Sequence, residues 1–102
     1  MSLIKLEAVF SKKGMLRYIS HLDVLRLFQR AVKRSGLPVS LSQGYMPHYR
    51  IGFEKALKLG MESENEKVIF TMDRWLDAEY FTKKINEQLP EGIKVLECKK
   101  RF

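Results

Sequence analysis

Cysteine is almost absent from this sequence of 102 residues, because Cys98 is the single one. One cysteine excludes an internal disulfide and fits a reducing compartment. It also excludes a zinc or iron–sulfur site that draws three or four cysteines from this chain alone. For this chain we expect neither a metal site nor another cofactor.

Long hydrophobic runs are also missing. The apolar run at residues 1–10 contains Lys5 and Glu7, which neither a secretory signal nor a membrane span tolerates. No other stretch approaches the length needed to cross a membrane. The sequence therefore predicts a cytoplasmic protein that does not associate with membranes.

Familiar catalytic motifs are lacking as well. The chain has no phosphate-cradling glycine loop, no nucleophile elbow and no zincin helix. It has no internal repeat or low-complexity tract, and its length suits one domain over residues 1–102. A domain of this size seldom encloses a deep cavity, so the expected kind of ligand site is a surface groove.

Positive charge, by contrast, is abundant and unevenly placed. The net charge of the chain is +7. Residues 1–58 contain eleven Lys and Arg against three acids, whereas residues 59–102 contain eight against nine. An excess confined to one half indicates an anionic partner, with nucleic acid favoured over an anionic membrane.

The hydrophobic pattern predicts four strands and two helices. Two N-caps, Ser20 and Asp77, mark where the helices begin. The predicted elements are strand 4–10, turn 11–14, helix 20–35, extended segments 39–41 and 50–53, buried strand 67–72, helix 78–89 and edge strand 93–99. The order β-α-β-β-α-β predicts an α+β, ferredoxin-like two-layer sandwich, in which an antiparallel sheet has both helices on one face.

A basic stripe lies along the first predicted helix. It consists of Arg26, Arg30, Lys33 and Arg34, spaced so that they share one side of the helix. Like charges at this spacing repel each other, so helix stability does not explain them, whereas contact with successive phosphates does. The alternative is a solvated face that pairs with acids elsewhere, since only Asp23 is available within the helix.

The loop at residues 42–50 is rich in side chains that bind nucleotides. Gly44 and Pro47 restrict its backbone, so it would present these side chains at a low entropic cost. Aromatic rings stack on unpaired bases, and Arg and Gln form forked hydrogen bonds. The candidate contacts are Gln43, Tyr45, His48 and Arg50. The alternative is that Tyr45 and Tyr49 belong to the core and that His48 only bonds the backbone.

His21 and His48 are the two histidines of the chain. Imidazole titrates near neutral pH, so the pair would suit acid–base catalysis on a phosphodiester without a metal. Two histidines are weak evidence for a metal site, and His21, at the first position of the helix, would equally suit packing. A metal-free phosphodiesterase is therefore an alternative, and catalysis by this chain alone is not expected.

A wider set of residues is distinctive in combination. It comprises the run 17–23, Arg26, Phe28, Arg30, Ala31, Arg34, the run 36–38, the run 42–45, Pro47, His48, Arg50, Ile51, Phe53, and the pairs 59–60 and 62–63. In these residues the chain resembles a bacterial family of unknown function, the radical-SAM-linked domain DUF2344. The resemblance covers about residues 5–64 and is weaker beyond them. Tyr49 departs from it, because the family more often has a proline there.

The resemblance implies a domain fused to, or encoded beside, a radical SAM protein, often near genes related to RNA or the ribosome. Members are usually longer, so we expect this chain to correspond to their N-terminal part. Together with the charge pattern, this predicts an RNA-binding accessory module for RNA or ribonucleoprotein modification. One alternative is a protein-interaction domain that docks the radical SAM partner through its basic stripe. The other is the phosphodiesterase.

Overall fold

The computed structural model describes residues 4–101. Its elements in chain order are β1 (Lys5–Lys12), a 3₁₀ helix (Gly14–Tyr18), α1 (His21–Ser35), β2 (Ile51–Phe53), β3 (Ser63–Thr71), α2 (Ala78–Asn86) and β4 (Ile93–Arg101). The predicted order β-α-β-β-α-β is confirmed. The 3₁₀ helix between β1 and α1 was not predicted. No helix within residues 4–101 is long and apolar enough to cross a membrane.

The four strands form one antiparallel sheet in the order β2-β3-β1-β4. The first and third strands are the central pair, in which Leu6 lies opposite Phe70. The last strand occupies an edge, as its mixed pattern predicted. Each helix connects a strand to a second one that is not its neighbour, which is the arrangement of a ferredoxin-like sandwich.

Both helices pack on the same face of this sheet. Phe28 of α1 and Phe81 of α2 contact Phe70 of β3, with ring centroids 5.9 and 4.9 Å apart. Phe10 of β1 also packs edge-on against Phe28, at 5.1 Å, and all four rings are fully buried. Edge-to-face contact is the favourable geometry for aromatic rings in a core. The opposite face of the sheet carries no helix from the described part of the chain.

The predicted helix starts are confirmed by cap geometry. The hydroxyl of Ser20 accepts a hydrogen bond from the N–H of Asp23 at 3.1 Å, and Asp77 accepts one from Tyr80 at 3.0 Å. Gly36 ends α1 with φ of 70°, a left-handed conformation that glycine adopts without strain. These signals lie within a few residues of the helix ends, which is why the sequence predicted them.

Strand boundaries were predicted less well. Residues 11–14 were expected to form a turn, yet β1 continues to Lys12, whose side chain is buried. Its ammonium group donates to the carbonyl oxygens of Ile19, at 3.2 Å, and Lys58, at 3.4 Å. Because these bonds satisfy the charged group, the lysine does not end the strand. The continued strand pairs with Ser63, so β3 begins earlier than expected.

The extended segment at 39–41 is not a strand of the sheet. It forms two isolated bridges, Val39 with Met72 and Leu41 with Tyr49. This segment therefore crosses from α1 to the start of β2 and brings the loop at 42–50 alongside the helix.

Candidate functional site

The basic stripe of α1 and the loop that follows it enclose a surface groove of about 620 Å³. It is lined by Arg26, Gln29, Arg30, Lys33, Leu41, Pro47, His48 and Tyr49. We refer to it as the helix–loop groove. The helix supplies its cations, and the loop supplies a largely apolar floor, so the groove offers both charge and a surface for a flat ring.

The side-chain amide of Gln29 attaches the loop to α1. Its oxygen accepts from the N–H of Tyr49 at 2.9 Å, and its nitrogen donates to the carbonyl oxygen of Tyr49 at 2.8 Å. The sequence analysis missed this residue. The available signal was its place on the basic side of the helix, three residues after Arg26 and four before Lys33.

A second set of bonds closes the loop on itself. The N–H of Ser42 donates to the carbonyl oxygen of His48 at 2.7 Å, and the N–H of His48 donates to the Ser42 hydroxyl oxygen at 3.1 Å. The same hydroxyl lies 3.2 Å from Nδ1 of the His48 ring. Within residues 4–101 the other ring nitrogen, Nε2, has no hydrogen-bond partner, so it is available to a ligand.

The cations of the groove differ in how they are paired. Arg26 forms an ion pair with Asp23 at 3.1 Å, on the exposed surface of the helix. Arg30, Lys33 and Arg34 are exposed, and no acid of residues 4–101 lies within ion-pair distance of them. The interpretation of the stripe as a solvated, acid-paired face therefore applies to Arg26 alone.

Four of the predicted contact residues lie outside the lining of the helix–loop groove. Arg34 continues the stripe along α1, while Gln43 and Tyr45 lie at the exposed tip of the loop. Tyr45 is 93% exposed, so it is not a core residue, whereas Tyr49 is half-buried against the core. Arg50 lines a different depression, on the sheet face that carries no helix.

The two histidines are not brought into one site. Nδ1 of His21 accepts from the N–H of Leu57 at 3.2 Å, and its ring packs edge-on against Phe53 at 4.8 Å. His48 lines the helix–loop groove beside Gln29. Gln29 lies on α1, eight residues after His21. Eight residues correspond to about 12 Å of helix rise, and His21 is not among the residues that line the helix–loop groove.

A larger cavity of about 720 Å³ lies between the 3₁₀ helix and the start of β4. Two lysines and two acids line it: Lys13, Lys94, Glu64 and Glu91. Lys13 forms an ion pair with Glu64. Because the charges around this cavity balance, it has no electrostatic preference for an anion, and the smaller helix–loop groove is the better candidate site.

Neither a metal cluster nor a reactive thiol accompanies the groove. Within residues 4–101 no group of three or more His, Cys, Asp or Glu side chains is placed to bind a metal ion. Burial raises the pKa of the Cys98 thiol, although a hydrogen bond with Thr82 opposes part of this effect. A raised pKa keeps the thiol protonated at neutral pH, and thus a weak nucleophile.

Comparison with known proteins identifies the family of this chain. A family described as an uncharacterized protein conserved in bacteria, DUF2344, matches residues 5–101. The match runs from β1 to the end of β4, further than the residues 5–64 that carry the resemblance in the sequence. No curated protein matches the chain. With its helix–loop groove and its complete sheet inside the matched region, the chain belongs to the DUF2344 family.

Proposed function

We propose that this domain is an RNA-binding accessory module that holds an RNA or ribonucleoprotein substrate for a radical SAM protein in the cytoplasm. The observation that supports this most is the ion pairing of the cations that line the helix–loop groove. Arg30 and Lys33 lie on one side of an apolar floor and have no acid partner within the described chain. Unpaired cations beside an apolar surface suit a ligand that carries both phosphates and flat bases.

Each part of the groove has a role in this proposal. The cations of α1 contact successive phosphates, and Arg34 extends this contact along the helix. A base packs on the floor formed by Pro47 and Tyr49, where Nε2 of His48 bonds its edge. Tyr45, at the exposed tip of the loop, stacks on a neighbouring base.

The chemistry of modification belongs to the partner protein in this proposal. A phosphodiesterase would need an acid and a base on the same phosphate, whereas His21 packs against Phe53 and is not among the residues that line the groove with His48. A positioning role for this domain requires only the binding surface.

The proposal is tested by RNA titration with charge-reversed protein. The variant Arg30→Glu/Lys33→Glu is compared with Lys83→Glu/Lys94→Glu, which makes the same charge change at exposed lysines away from the groove. By fluorescence anisotropy at low salt, the groove variant should lose about tenfold or more in affinity and the control should lose little. Equal losses in the two variants would contradict the proposal.

A second candidate function is docking of the radical SAM protein itself. Three exposed apolar side chains favour it, since Leu41, Tyr45 and Met46 are 52%, 93% and 78% exposed around the groove. Such residues are common in protein interfaces. Co-purification with the radical SAM protein that survives nuclease treatment, but is lost in Tyr45→Ser/Met46→Ser, would support this function. Loss of the complex on nuclease treatment alone would contradict it.

A further inference from the structure

A row of cations crosses the open face of the sheet. Lys5 of β1 lies opposite Thr71 of β3 on one side and Arg101 of β4 on the other. The N–H of Thr71 donates to the carbonyl oxygen of Arg50, just before β2, at 3.1 Å. Arg50, Lys5 and Arg101 therefore lie in one line across the sheet, which we refer to as the transverse cationic row. With strands about 4.8 Å apart, the row spans about 14 Å.

Strand alternation directs these side chains away from the helices. Leu6 and Phe70 are buried beneath the helices, so their neighbours Lys5 and Thr71 face the other side. Arg50 alternates in the same way with Ile51. A depression of about 390 Å³ lies between them, and its lining includes Lys5, Arg50, Thr71, Gly52 and Ile69. The missing side chain at Gly52 leaves the floor of this depression open.

The charges of this end of the sheet are not balanced. Glu7, an acid beside the row, lies 3.5 Å from Lys99 and 3.6 Å from Arg101. Lys5 and Arg50 have no acid partner within residues 4–101. Like charges opposite each other on neighbouring strands destabilise a sheet, so fold stability does not explain the placement of Lys5 opposite Arg101. An anionic ligand would explain it.

The row begins where the helix–loop groove ends. Arg50 directly follows His48 and Tyr49, which line the groove on the helix side. A ligand that leaves the groove therefore meets Arg50 first and then Lys5. This path turns around the edge of the sheet at β2. A nucleic-acid duplex is too stiff for such a turn over a few nucleotides, whereas a single strand bends readily.

We propose that the transverse cationic row is a second RNA-binding site, continuous with the helix–loop groove, and that it holds the phosphates of a single strand. The identity of the ligand as RNA rests on the proposed function. The described strand residues that alternate onto this face include no aromatic side chain. The row therefore contacts the backbone without stacking on bases, and it binds with little sequence preference.

The experiment measures affinity against the length of the RNA. Unstructured oligonucleotides of about 4 to about 16 nucleotides are titrated by fluorescence anisotropy at several salt concentrations. The wild type is compared with Lys5→Gln/Arg50→Gln and with the control Lys83→Gln/Lys94→Gln, whose lysines lie on α2 and at the opposite end of β4. All four side chains are exposed, and circular dichroism verifies that each variant is folded.

We expect the affinity of the wild type to keep rising with RNA length after the RNA is long enough to fill the helix–loop groove. Lys5→Gln/Arg50→Gln should bind the shortest RNA as the wild type does but should lose this rise. Its salt slope on long RNA should be shallower by about 1.4, the value for two phosphate contacts on a single strand. The control should keep both the rise and the slope.

Three results would overturn the inference. The first is an unchanged length dependence and salt slope in Lys5→Gln/Arg50→Gln while Arg30→Glu/Lys33→Glu still loses affinity, which would leave the proposed function standing. The second is equal binding of a duplex of the same length. The third is binding of polyglutamate in place of RNA, which would overturn the proposed function as well.

Discussion

Gln29 and Tyr49 are joined by two hydrogen bonds, of 2.9 and 2.8 Å, between one side-chain amide and both backbone polar groups. Twenty residues separate them in sequence. The bonds attach the loop to α1, so the shape of the helix–loop groove depends on one polar side chain of the helix. Asn86 makes the same pair of bonds to Val95, at 2.8 Å each, and attaches the end of α2 to β4.

Replacing Gln29 by Ala should loosen the loop. The change leaves two backbone groups of Tyr49 without their partners, which costs about 1–3 kcal/mol where water does not replace them. Urea denaturation should show the loss of stability, and amide hydrogen exchange at Tyr49 should become faster. Gln43→Ala is the control, because Gln43 is exposed and its side chain has no partner within residues 4–101. Equal exchange rates in the two variants would contradict this role.

Replacing Glu7 by Gln should change stability and RNA affinity in opposite directions. The carboxylate pairs with Lys99 and Arg101, and each partly exposed pair contributes up to about 1 kcal/mol. Its loss should therefore lower the free energy of unfolding slightly. The two cations become available to phosphates, so RNA should bind more tightly and with a steeper salt slope. Weaker RNA binding in the folded variant would count against the transverse cationic row.

Replacing Gly92 by Ala should destabilise the fold more than replacing Gly44 by Ala. Both glycines have positive φ, of 103° and 119°, so both substitutions strain the backbone. A Cβ at Gly92 would also lie 2.8 Å from the carbonyl oxygen of Lys13, whereas one at Gly44 meets nothing within 4 Å. Urea denaturation should show a cost of about 1–3 kcal/mol at Gly44 and a larger one at Gly92. Equal losses of stability in the two variants would show that the contact between the new Cβ and the Lys13 carbonyl oxygen does not destabilise the fold.

The neighbouring residues Lys12 and Lys13 should affect stability at alkaline pH with opposite signs. Burial lowers the pKa of Lys12 below its ordinary value of 10.5, although Glu66 opposes part of this effect. Between the lowered pKa and 10.5 the unfolded chain binds a proton that the folded chain does not. The contribution of Lys12 to stability therefore rises with pH in this window.

For Lys13 the sign reverses. Its hydrogen bond and charge interaction with Glu64 raise its pKa above 10.5, so the folded chain retains a proton that the unfolded chain has lost. Its contribution falls as pH rises through the raised pKa. Urea denaturation of the wild type, Lys12→Met and Lys13→Met across this range measures both differences. The free energy of unfolding of the wild type minus that of Lys12→Met should rise with pH. The free energy of unfolding of the wild type minus that of Lys13→Met should fall with pH. Changes of the same sign in both differences would contradict the assignment.

The sequence predicted the order of the elements and the helix starts because those signals are local. A cap such as Ser20 acts within three residues, and the periodicity of a helix or strand is visible over one or two turns. The burial of Lys12 was not predictable in this way. It depends on carbonyl groups at Ile19 and Lys58, which the fold brings to the strand from 7 and 46 residues away.

Part of the candidate site was also visible in the sequence. Spacing placed Arg26, Arg30 and Lys33 on one side of α1, and the structure places His48 of the loop in the same groove. Arg50 was assigned to this surface as well, but it faces the other side of the sheet. The alternation of side chains along the extended backbone next to β2 sets the direction of Arg50. This direction follows from strand pairing and not from the composition of the loop.

By itself the sequence determined a basic first half, two capped helices and a β-α-β-β-α-β order, because charge and local hydrogen bonding require only nearby residues. Only the tertiary structure decided which cations meet. Lys5, Arg50 and Arg101 are scattered along the chain, and the register of an antiparallel sheet aligns them. Register is set by the burial of one face against the helices, so the alignment of charges on the other face is a consequence of core packing.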